Sequence, residues 1–108
     1  MSLDAQTEYD AVVSEMVATS PTSSGKMFGM PCLKNSNGKA FAGYFEGEMV
    51  FKLGGTSHAE ALALSGARPF DPMGGRPMKE WVVVPAEYVS RWLEFARDAF
   101  SYVAEKGK

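Results

Sequence analysis

Two turn signals, Asn35-Ser36-Asn37-Gly38 and Glu46-Gly47, stand one strand length apart and do most to restrict what this chain can fold into. Asn-Gly readily takes the positive φ angles of a tight hairpin, and Glu-Gly offers a second reversal. Between them Lys39 to Phe45 alternates, with Phe41, Gly43 and Phe45 on one face and Ala40, Ala42 and Tyr44 on the other. After the second turn Met49, Phe51 and Leu53 alternate with Val50 and Lys52. Before the first, Lys26 to Leu33 reads as a strand whose end is demoted to an edge or a bulge by Pro31. Hydrophobic period two broken by turn chemistry at both ends predicts a three-stranded antiparallel meander.

The flanks have a different period. Tyr9, Val12, Val13, Met16 and Val17 fall at i, i+3, i+4, i+7 and i+8, the stripe of an amphipathic helix, and Asp4, Glu8, Asp10 and Glu15 occupy its other side. Ser20-Pro21 ends it, and Ser20 to Gly25 reads as a loop. Beyond the meander, Ser57 and Glu60 have capping-box spacing, opening a short helix that stops near Gly66. Ala67 to Phe70 has the makings of a short edge strand, and Lys79 to Val84 the β-branched density of a central one. Pro85 suits the first turn of a last helix, where Val89, Trp92, Phe95, Ala96, Ala99, Phe100 and Val103 form a wide apolar stripe. The expected order is α-βββ-α-β(β)-α: an α+β fold of two layers, with helices covering an antiparallel sheet.

Composition narrows the function classes. A chain of 108 residues, 45% hydrophobic and 22% charged, is sized and mixed for one globular domain over residues 1–108. Its net charge of −2 lacks the basic excess that counterion release requires, so direct nucleic-acid binding is not expected. One cysteine leaves no internal disulfide and no multi-cysteine metal site. The start is acidic, and the longest apolar run, Trp81 to Ala86, is far short of the ~20 residues that span a bilayer. Cytoplasmic placement is the default expectation, with no membrane association and no cofactor.

Three segments together resemble the N-terminal domain of the TfoX/Sxy family, bacterial proteins named for competence regulation. Met27-Phe28-Gly29-Met30 is similar to the family's opening of its first strand. Gly38-Lys39-Ala40-Phe41-Ala42 leading into Met49-Val50-Phe51-Lys52-Leu53 is similar to its hairpin. Pro69-Phe70 followed by Trp81-Val82-Val83-Val84-Pro85 resembles its approach to the last helix. The likeness runs from about Tyr9 to Phe100; Met30-Pro31-Cys32 and Trp81 depart from the family's usual residues. It implies a secretion-chaperone-like α+β fold, an N-terminal domain without the family's C-terminal one, and a regulatory role exerted through protein partners. It carries no catalytic residues onto this chain.

The residues themselves single out the stretch from Arg68 to Lys79. Arg68, Asp71, Met73, Arg76 and Lys79 lie on a connection long for so small a domain, and such connections often bind partners. The plainer account is a rigid connector in which Arg68 and Asp71 pair locally. Cys32 would serve as a nucleophile only beside a base, and His58, the sole imidazole, lies beyond the meander; a thiol used for packing is the simpler account. No His, Asp, Glu and Cys grouping has metal-ligand spacing. The expected function is therefore a non-enzymatic interaction domain with an unidentified protein partner, a homodimer paired through a sheet edge being one allowed arrangement. The alternative is a small-anion-binding protein using a cleft between sheet and helices, with Lys26, Arg68 or Arg76 as the cation.

Overall fold

The computed structural model describes residues 5–20, 22–27, 30–36, 38–45, 47–71 and 78–106, apart from the side chains of 27, 78, 79, 105 and 106. Three helices, α1 (Ala5–Thr19), α2 (Gly55–Ala63) and α3 (Val89–Lys106), accompany six strands: β1 (Thr22–Met27), β2 (Met30–Asn35), β3 (Ala40–Phe45), β4 (Glu48–Lys52), β5 (Arg68–Phe70) and β6 (Met78–Val84). A turn of 3-10 helix, Ala86–Tyr88, leads into α3. The strands form one antiparallel sheet in the order β1-β2-β3-β4-β6-β5. The fold is α+β, as the patterning predicts.

All three helices pack against one side of this sheet. Tyr9, Val12 and Met16 of α1, Ala61 of α2, and Trp92, Phe95, Ala96, Ala99 and Val103 of α3 meet Leu33, Ala42, Met49, Phe51, Val82 and Val84 from the strands. Phe41 meets Phe100 edge to face at 5.4 Å, and Phe51 meets Phe95 at 5.9 Å. The α1 stripe is narrower than its spacing suggests, for Val17 is 53% exposed. It lies roughly 100° around the helix from the line through Tyr9, Val12 and Met16, beyond the reach of α3.

The glycines of both turn signals take the left-handed backbone expected of them. Gly38 and Gly47 have φ of 80° and 82°, and the Asn35 side-chain carbonyl accepts a hydrogen bond from the Lys39 amide at 3.2 Å. That bond accounts for the burial of a polar side chain at the hairpin's base.

Four expectations need correction. Lys26 to Leu33 is two strands rather than one, because Met27 at the end of β1 pairs antiparallel with Met30 at the start of β2; Phe28 and Gly29 lie outside the described residues. Most of the expected loop from Ser20 to Gly25 belongs to β1, since its polar residues can pair along one side while facing solvent on the other. Pro31 is accommodated in β2 because the ladder to β3 starts only at Cys32. The alternation of β3 is also broken. The register shifts between Leu33 and Lys34, leaving Phe41 as an extra residue, so adjacent Phe41 and Ala42 both enter the helix-side core. Finally, Ser57 does not cap α2. The helix begins at Gly55 after an extended Gly54, with no side-chain cap, and the Ser57 hydroxyl donates instead to Asp98 of α3 at 2.9 Å.

Candidate functional site

The side of the sheet away from the helices carries its own apolar cluster: Met30, Val50, Phe70, Trp81 and Val83, with Ala40 and Phe45 packed against it. Its geometry follows from one row of paired residues, Gly25, Cys32, Gly43, Val50, Val83 and Arg68, running across all six strands. Gly43 leaves room for its neighbours, since a Cβ there would meet Met30 Cε at 2.6 Å and the Pro31 carbonyl oxygen at 3.2 Å. Phe45 of β3 touches Phe70 of β5 edge to face, 5.4 Å between centroids, although β4 and β6 separate their strands. The sheet therefore coils over this side, and Val50 and Val83 are buried beneath.

This arrangement holds the base of the β5–β6 hairpin. Phe70 is 2% exposed, while Arg68 and Asp71 stay exposed. The Arg68 guanidinium pairs with the Glu48 carboxylate at 2.7 Å and reaches the Gly66 carbonyl at 3.3 Å. Arg68 is thus tied to β4, a partner distant in sequence that local reasoning about Asp71 does not find. Met73 and Arg76 lie outside the described residues. Lys79 is on β6, and its side chain also lies outside them.

A second polar group, missed by sequence reasoning, joins α2, α3 and β6. Asp98 and Tyr102, one turn apart on α3, take Ser57 and Glu80 respectively: Ser57 donates to Asp98, and the Tyr102 hydroxyl donates to the Glu80 carboxylate. The Tyr102 ring lies against Gly54, where a Cβ would come within 2.7 Å of its Cζ. The Glu80 backbone carbonyl accepts from the Leu53 amide at 2.8 Å, locking the same corner. The i, i+4 spacing of Asp98 and Tyr102 was legible, but their partners lie 41 and 22 residues away.

Cys32 and His58 do not meet. The thiol is buried between two paired glycines, Gly25 and Gly43, and burial pushes its pKa up despite the opposing pull of Lys34. His58 is on α2, which packs on β6, three strand spacings from β2, on the order of 14 Å. Tyr9, also buried, has its phenol pushed up to about 12 by desolvation, reinforced by Cys32 and Asp10.

The cations proposed for an anion are likewise apart, since Lys26 is on β1 and Arg68 on β5, at opposite edges of the sheet. Between sheet and helices Phe41, Phe51, Trp92 and Phe95 are fully buried and fill the interface. A cavity of about 330 Å³ opens elsewhere, between α1 and α3, lined by Ala11, Val12, Val89, Ser90, Leu93 and the carboxylates of Glu8 and Glu15. Glu8 repels anions there, and Glu15 is already paired with Arg97 at 3.1 Å. Of the meander lysines, Lys34 and Lys52 share the side away from the helices by register, while Lys26 is on the other. Among the described residues no grouping of His, Cys, Asp and Glu is arranged to hold a metal ion, and no helix is long and apolar enough to cross a membrane. No protein-family model, curated protein or solved structure matches this chain.

Proposed function

We propose that this chain is a non-enzymatic interaction domain that engages a protein partner through the β5–β6 hairpin, from Arg68 to Lys79. The observation that carries this reading is the anchoring of Phe70 against Phe45, with charged Arg68 and Asp71 left exposed on either side. Loops positioned by a scaffold commonly carry binding residues. The sequence resemblance to the TfoX/Sxy N-terminal domain supplies the proposed context, regulation of transcription or competence through protein contacts. The acid-lined cavity weighs against the small-anion alternative.

The test replaces Met73 and Arg76 with serine together and compares captured proteins with those of the unchanged chain. A photoreactive residue at position 71 should cross-link the same protein whose capture the double substitution abolishes, with the melting temperature unchanged. An identical partner list for both forms would defeat the assignment.

A further inference from the structure

The two edges of the sheet are not equivalent. β5 is three residues long and contains Pro69, a pairing-poor edge of the kind that blocks strand addition. β1 is six residues long, contains no proline, and among the described residues has β2 as its only strand neighbour. We infer that β1 is a second interaction edge, independent of the hairpin, which takes an extended acidic peptide as an added antiparallel strand.

Charge at this edge selects the occupant. Because Gly25 has no side chain, Lys34 of the neighbouring strand lies across it. A Cβ built on Gly25 would sit 3.1 Å from Lys34 Cε and 3.4 Å from Nζ. The ammonium group thus stands over the edge strand, where the side chain of a residue paired with Gly25 would project. Lys26, next along β1, is exposed and points to the opposite face by strand alternation. An incoming strand therefore meets one cation on each face at adjacent positions, which suits two consecutive carboxylate residues. Of the α1 acids, Glu8 and Glu15 line the α3-facing side and Glu15 is paired with Arg97 at 3.1 Å, while Asp10 accepts a hydrogen bond from the Gln6 side-chain amide at 3.0 Å. Pairing β1 with a second copy would instead bring two lysine-bearing edges together, a like-charge arrangement that edge lysines commonly prevent.

Strand addition draws affinity from main-chain hydrogen bonds and selectivity from side chains on alternate faces. The probe is a synthetic peptide of about eight residues, valine and threonine with two central glutamates, titrated into the isotope-labelled full chain. The expected result is amide hydrogen-exchange protection appearing at alternate residues of 22–27. Binding should be lost when the central peptide amides are N-methylated, because backbone donors are then missing. Lys26→Glu, at an exposed site, and Lys34→Gln, which removes the charge while keeping most of the stem over Gly25, should each weaken binding about tenfold without lowering thermal stability. The inference is overturned by no binding, by binding indifferent to N-methylation, by equal affinity for a lysine version of the peptide, or by protection outside β1. Self-association of the chain through β1 would overturn it equally.

Discussion

Adding one methyl group at Gly54 should unsettle the corner where α2, α3 and β6 meet. The backbone there, φ −144° and ψ 166°, suits any residue, so alanine brings no conformational strain of its own. The cost is contact. The new Cβ would lie nearest Tyr102 Cε1, with Cζ at 2.7 Å and Cδ1 at 2.9 Å, so the ring must retreat by about 1 Å. Retreat draws the hydroxyl away from Glu80. Overpacking costs about 1–3 kcal/mol, and losing a hydrogen bond to a charged group about 1.5–3 kcal/mol. Tyr102 is only half-buried and can swing outward, so the two costs are alternatives more than a sum, and about 2 kcal/mol is expected. For a domain of this size that lowers the melting temperature by roughly 10 °C. Urea and thermal unfolding followed by circular dichroism measure it, and the same change in a Tyr102→Ala background isolates the contact. There Gly54→Ala should be neutral within about 0.5 kcal/mol. An equal loss in both backgrounds, or none in the unchanged chain, would refute the reasoning.

Three other outcomes follow from the burial and pairing described above. The Tyr9 phenol is raised in the folded state, so the stability it contributes is complete below pH 10 and lost as pH climbs toward about 12. A Tyr9→Phe chain should show a flatter urea midpoint across that window, and an unchanged slope would contradict the burial argument. The Cys32 thiol, buried and raised in pKa, should react with a soluble disulfide reagent more slowly than free cysteine until the chain is unfolded; rapid labelling of the native protein would count against a packing role. At the hairpin's base, Arg68→Ala removes a pair that is 55% exposed on the arginine side and should cost under about 1 kcal/mol. Phe70→Ala empties a buried site and should cost about 3–5 kcal/mol. Equal losses in chemical denaturation would mean that the aromatic anchor does not hold the hairpin.

Much of the fold is determined by short-range chemistry and is therefore legible in the sequence. Gly38 and Gly47 sit where positive φ is needed, Met49, Phe51 and Leu53 keep their shared face, and the α3 stripe is buried almost as its spacing implies. What tertiary structure decided lies in pairings between distant residues. Polar Thr22 to Met27 becomes a strand because β2 lies beside it, and Phe41 leaves its expected face because a bulge inserts it. Ser57 abandons its helix end for Asp98, and Arg68 reaches Glu48 on β4. The candidate hairpin was visible as Arg68, Asp71, Met73, Arg76 and Lys79, but its Phe70–Phe45 anchor was not. Local propensity acts over a few residues, whereas the register that brings β3 and β5 together is set by the whole sheet.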